Sequence, residues 1–222
     1  MNTTIPDKAI LKQMADASYQ NDYSDEIDGF NLIKQTETLK FFQSTYQAFI
    51  VVAVRGTADI VDLKAWLPTA VSNIQNTERY AIDTKELTAM QQQKPQSAYT
   101  YYAVGHSLAG SIIDKWLKLG LITEARTYNP AIAYADLRDT SINNTRIYSD
   151  GDPLYNIMGR FASGKKEVRK YTVPIDPSQA GRFAFLPILA YKDRILKQHT
   201  LQNPIFKGGD ILSHSLARRP IF

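Results

Sequence analysis

The sequence predicts an α/β protein with a mostly parallel central sheet flanked by helices on both faces. Three observations carry that prediction. Apolar, β-favouring runs alternate with segments of helical period along most of the 222 residues. One run, Ala48 to Val54 (AFIVVAV), is apolar without a break, as a strand buried on both faces requires. The residue types that chemistry needs fall just after the strand-like runs, where parallel sheets bind their ligands. The composition agrees: 44% hydrophobic and 22% charged residues are the balance of a soluble globular chain. That length lets a single domain, 1–222, bury its core without covalent staples.

The elements follow in order. Ile10, Leu11, Met14 and Ala15 recur at helical spacing, so Lys8 to about Tyr19 is expected to be a helix. Asn21 to Asp28 is acidic and turn-rich. The strand Ala48 to Val54 comes next. Thr77 to about Gln92 has helical period and stops before Pro95. Tyr99 to Val104 (YTYYAV) is aromatic and suits a strand. Ser111 to Leu119 carries Ile112, Ile113, Trp116 and Leu117 on one stripe, with Gly120 as its C-terminal cap. Further short strands are expected at Ala125 to Tyr128, Thr145 to Ser149 and Val168 to Val173.

Composition also excludes chemistry. There is no cysteine, so disulfides, thiolate catalysis and cysteine–metal sites are ruled out. The three histidines are His106, His199 and His214, too few for a multi-histidine metal site beside another role. No metal or organic cofactor is expected. No stretch reaches the roughly 18 apolar residues of a membrane span. Met1 to Tyr19 has no apolar run, so no signal peptide is expected and the cytoplasm is the default location. Export by another route, or packaging in a virion, would leave the same trace. The net charge of +4 is concentrated in the second half. Its densest stretch is Arg160, Lys165, Lys166, Arg169 and Lys170, which suits either an anionic membrane surface or a solvated strand edge. No motif calls for nucleic acid, and the oligomeric state is open.

The sharpest chemical signal is Gly105-His106-Ser107-Leu108-Ala109-Gly110, between the strand YTYYAV and the helix SIIDKWLKL. A strand-to-helix turn this tight puts Ser107 at its apex in a strained conformation, with its oxygen expected above the sheet. Flanking glycines leave room where a Cβ would collide with a neighbouring element. The Leu108 amide then lies at a helix N-terminus, where it can face a developing oxyanion. Arg55-Gly56-Thr57 directly follows the apolar strand, and Thr57 can supply a second donor through its amide and its hydroxyl.

Four segments in this order, VVAVRGT, GHSLAG, TYNP (Thr127 to Pro130) and SDGDPL (Ser149 to Leu154), resemble the class 3 lipases, the fungal-lipase-like α/β-hydrolases. The resemblance covers about residues 40–160. It implies an α/β-hydrolase fold and a serine carboxylester hydrolase acting on acylglycerol, phospholipid or small esters. Carried over by position, Ser107 corresponds to the nucleophile, and Thr57 and Leu108 to the oxyanion hole. Asp152, before Pro153, corresponds to the triad acid and ranks above Asp150. The base is a histidine beyond Asp152. His214, in Asp210-Ile211-Leu212-Ser213-His214, matches the family context better than His199. The order Ser…Asp…His is that of α/β-hydrolases. A silent lipid-binding module on the same fold, or an acyltransferase with the same triad, are the alternatives.

The chain departs from the family pattern at several places. Ala109 stands where the family has glycine. The Asp-Trp pair after R-G-T is here Asp62-Leu63, with Trp66 further on. Residues 58–72, with Leu63, Trp66, Leu67 and Val71 on one side, are either a lid or a packed helix. The run FAFLPILAY, Phe183 to Tyr191, is either a core segment or part of an acyl pocket.

Overall fold

The computed structural model describes residues 5–23, 26–56 and 73–170. Within them seven strands form one sheet in chain order. They are β1 (Phe30–Gln35), β2 (Leu39–Ser44), β3 (Phe49–Val54), β4 (Thr100–His106), β5 (Glu124–Tyr128), β6 (Asn144–Ser149) and β7 (Lys166–Arg169). The pairs β1–β2 and β2–β3 are antiparallel. Every pair from β3 to β7 is parallel. Helices α1 (Lys8–Ala17), α2 (Glu78–Gln93), α3 (Ala109–Lys118) and the short α4 (Pro153–Ile157) complete the described elements.

The mostly parallel sheet is the predicted one. Two of its strands, β1 and β2, have no counterpart in the sequence prediction. They make β3 a boundary strand, antiparallel to one neighbour and parallel to the other. The candidate lid at 58–72, the run 183–191, and part of the expected strand at 168–173 lie outside the described residues.

The unbroken apolar run explains itself once β3 is in place. All six of its residues are buried, and successive side chains face opposite layers. Ile50, Val52 and Val54 join the layer under α2 and α3, with Leu87, Met90, Ile112, Ile113 and Trp116. Phe49, Val51 and Ala53 join the layer under α1, with Leu11, Met14 and Ala15. Burying each such aliphatic side chain contributes roughly 1.5–3 kcal/mol. This strand is therefore a rigid platform for whatever follows Val54.

The helices begin and end as their caps dictate. Thr77 caps α2, its hydroxyl oxygen accepting the Tyr80 N–H at 3.2 Å. The indole of Trp116, fully buried, donates to Thr84 Oγ1 at 2.9 Å, so burying it leaves no orphan donor. Gly120 follows α3 with φ +68°, the left-handed turn that lets the chain reverse toward β5.

One buried polar cluster ties α3 to the sheet. Asp114 on α3 and Arg146 on β6 are both fully buried and pair at 2.9 Å. Asn144 donates to the other Asp114 oxygen at 2.8 Å and accepts from Thr127 at 3.1 Å. Arg146 also donates to the Ser163 carbonyl at 2.9 Å. Burial raises the Asp114 pKa, and the guanidinium opposes that rise. Arg146→Met is expected to cost about 3–5 kcal/mol, because it strands a buried carboxylate. The variant carboxyl must fold with its pKa raised above the unfolded value. Its deficit is therefore smallest in acid, where the carboxyl is neutral in both states, and grows as pH rises. Urea melts of both proteins at pH 4.5 and 7.5 check the size and the sign.

Candidate active site

The parallel strands end on one edge of the sheet, and the motif residues lie along it. Val54 pairs with Gly105, His106 with Tyr128, and Tyr128 with Ile147. Past those positions come Arg55-Gly56 after β3, Ser107 after β4, Asn129 after β5 and Asp152 after β6. Four separate stretches of sequence thus meet on one rim.

Ser107 sits in the left-handed region, with φ +58°, as the tight turn requires. For a residue with a Cβ this conformation costs of order 1–3 kcal/mol. Three backbone hydrogen bonds hold it there. Its N–H donates to the Tyr128 carbonyl at 3.1 Å, and its own carbonyl accepts from Gly110 at 3.0 Å and Ala131 at 2.9 Å. These bonds draw the turn against the end of β5. Ser107 is consequently fully buried, not exposed above the sheet as the sequence suggested.

The small residues around it are explained by contacts. A Cβ on Gly105 would lie 2.7 Å from both the Ala109 Cβ and the Ile113 Cδ1. The methyl at Ala109, the departure from the family pattern, thus fills the gap that Gly105 leaves. The second glycine of this turn is Gly110, three residues after Ser107. A Cβ there would meet Pro130 Cβ at 2.3 Å and the Ala131 carbonyl oxygen at 2.8 Å. Both glycines are steric requirements of the turn, one within its own helix and one against the chain leaving β5. Leu108 is buried and caps α3, as expected of a residue opening the helix.

Asp152 is fully buried at the start of α4. Its Oδ1 accepts the N–H groups of Leu154 at 2.7 Å and Tyr155 at 3.1 Å. Pro153 occupies the first helical position, where its missing N–H costs nothing. Asp150 is only half-buried, and its N–H donates to the Arg169 carbonyl at 3.1 Å. The structure therefore separates the two acids by burial. Thr57, His199 and His214 lie outside the described residues.

Three residues here have no role assigned by the sequence, although Asn129 lies within the TYNP segment. Asn129, φ +40° and fully buried, accepts the Ser149 N–H on its Oδ1 at 2.9 Å, joining the ends of β5 and β6. An asparagine between a strand and a proline is the available signal, since Asn tolerates left-handed backbone. Tyr19 bridges Gly56 and His106, and Arg79 donates to the Arg55 carbonyl at 2.6 Å. Neither contact has a sequence signature. His106 itself turns to Tyr19. The basic stretch is partly tied down. Lys166 donates to the carbonyls of Gly159, Arg160 and Ala162, Lys165 to Asn143, and Arg169 pairs with Glu167. Among the described residues, no three acidic or histidine side chains converge as a metal site.

Two solved structures share this fold over most of their length. One is a triacylglycerol lipase whose catalytic centre is formed by a serine protease triad. It is 15% identical, with a TM-score of 0.50 over 72% of this chain and 78% of that one. The other is the lipase from Rhizopus microsporus var. chinensis, 16% identical, with a TM-score of 0.55 over 77% of this chain and 74% of that one. The chain has the fold of the fungal triacylglycerol lipases. That is the α/β-hydrolase architecture its motifs implied. No family model matches the sequence, and no curated protein matches it either. On the lipase fold, the turn at Ser107 lies between β4 and α3, and Asp152 lies two strands away, after β6.

Proposed function

We propose that the protein is a serine carboxylester hydrolase cleaving acylglycerol or phospholipid esters through an acyl-enzyme. The observation that carries this reading is the strained, buried Ser107 on a lipase fold, with a buried aspartate two strands along the same rim. Two strand spacings are roughly 10 Å, too far for Ser107 and Asp152 to touch and suited to an imidazole between them. His214 fills that place in the proposal, with His199 as the alternative.

The steps then follow from the groups. Neutral His214 takes the Ser107 proton as the serine oxygen attacks the ester carbonyl. The Leu108 and Thr57 amides hold the oxyanion. His214 returns the proton to the leaving alcohol, and water, activated by the same imidazole, releases the acid. Asp152 holds the imidazole tautomer and balances its charge. Substrate is a lipid or a smaller ester. Contact with an anionic membrane surface would use Arg160, which is exposed between the exposed Ile157 and Phe161.

The test is hydrolysis of p-nitrophenyl esters from acetate to palmitate, with and without a lipid interface. Wild type is expected to turn over, His214→Ala to lose activity, and His199→Ala to keep it. A folded wild type inert on the whole series would sink the reading. Loss with His199→Ala alone would move the base to His199.

A further inference from the structure

Tyr19, just past the end of α1, touches two separate parts of the rim. Its Oη accepts the Gly56 N–H at 3.1 Å and lies 2.8 Å from His106 Nδ1. Its ring meets the His106 ring edge-on, with centroids 5.9 Å apart. The Arg55 guanidinium stands 5.9 Å from the Tyr19 ring centroid. Burial pushes the phenol pKa well above its ordinary value, so the hydroxyl keeps its proton. A phenol proton in this setting needs an acceptor, and the Gly56 N–H is a donor. The proton therefore goes to Nδ1, which leaves His106 neutral with its proton on Nε2.

Gly56 shows how tight this junction is. A Cβ there would lie 2.3 Å from the His106 carbonyl oxygen and would also overlap the Tyr19 hydroxyl. The same peptide group is gripped on its other side. The Arg55 carbonyl accepts from Arg79 Nη2 at 2.6 Å, and Arg79 is itself held by the fully buried Asp83 at 2.6 Å. The peptide plane joining residues 55 and 56 thus has its oxygen fixed by α2 and its hydrogen fixed by α1. Thr57 is the next residue in the chain.

We infer that Tyr19 is a positioning residue of the ester-cleaving site, its hydroxyl setting the gap between the end of β3 and the turn that carries Ser107. Tyr19 would hold Gly56 against the turn at Ser107, and these are the two segments that lead in sequence into the proposed donors Thr57 and Leu108. The inference rests on the hydrolase reading above. A phenol that only packed α1 onto the sheet would need one acceptor for its proton, not contacts to two separate segments of the rim.

Tyr19→Phe removes the hydroxyl and keeps the ring. Removing an oxyanion donor costs roughly 10²–10³ in turnover, and displacing one costs less. We expect kcat to fall about 10- to 100-fold for p-nitrophenyl butyrate, with KM within about twofold. Butylboronic acid, which forms a tetrahedral adduct resembling the transition state, should bind weaker by the same factor. Arg79→Gln, which frees the other side of the same peptide, should shift both quantities in the same direction. A lower melting temperature with unchanged kcat and boronate affinity would overturn the inference, since that is the mark of packing alone. Nitrogen-15 shifts of His106 in the wild type test it without any variant. An unprotonated Nδ1 is expected, and a protonated one overturns it. If wild type neither cleaves esters nor binds the boronate, the hydrolase reading falls and takes this inference with it. If wild type is active and Tyr19→Phe equals it, the inference alone falls.

Discussion

Ser107→Ala is expected to lower ester turnover by about 10⁴- to 10⁶-fold, leaving a trace above the uncatalysed rate. The size follows from how a serine triad works. In the proposed mechanism, without the oxygen no acyl-enzyme would form, and the histidine and aspartate would lose their task together. What survives is binding and the oxyanion donors acting on attack by water. Stability should move little, because alanine keeps the Cβ that the left-handed backbone already strains. Ser107→Gly sharpens the test. Glycine adopts φ +58° without that strain, so this variant should be as inactive as Ser107→Ala but more resistant to urea, by about 1 kcal/mol. Steady-state assays and urea melts of the three proteins check both halves. Activity that persists in Ser107→Ala would remove the serine from the chemistry.

Asp152→Asn is expected to lower kcat by about 10⁴-fold while the protein stays folded. Asparagine has the same shape but would donate where the proposed triad needs the aspartate to accept, leaving the imidazole in the wrong tautomer. The carboxylate has a second task at the start of α4, where its Oδ1 takes two backbone N–H groups. An amide oxygen can still take them, so Asp152→Asn should melt close to wild type. Asp152→Ala removes the cap as well and should cost about 1–2 kcal/mol more in stability. Comparing the two separates catalysis from capping. A kcat in Asp152→Asn equal to wild type would reduce this residue to a helix cap and send the search to Asp150.

What was legible in the sequence depended on the range of the forces involved. The strand β3 was readable because a strand buried on both faces is apolar at every position, and β4 because its aromatic run favours a strand. Neither signal needs a partner to recognise. The turn at Ser107 was readable because its sterics are local: the atoms that exclude a side chain at Gly105 belong to its own helix and to the strand beside it. The hairpin β1–β2 was missed. Asn31 and Lys34 break the apolar pattern of its outer strand, and Thr36, Glu37 and Thr38 connect it without glycine, proline or asparagine. Tyr19 escaped for a different reason. Its partners, Gly56 and His106, are joined to it by folding alone, and a tyrosine at the end of an amphipathic helix reads as packing. The buried pair Asp114–Arg146 was silent in the same way, since two charges 32 positions apart have no sequence signature.

The order of the sheet is also the order of synthesis. Because β1 through β7 lie side by side as they follow one another in the chain, each new strand emerging from the ribosome finds its neighbour already made. Each strand then pairs with its predecessor in the chain, so no pairing has to wait for a strand made later. Ser107 is in place once β4 and β5 have paired, since the turn hangs on bonds to the Tyr128 carbonyl and the Ala131 N–H. Asp152 must wait for β6. The nascent chain therefore completes the frame around Ser107 before Asp152 can take its place at the end of β6.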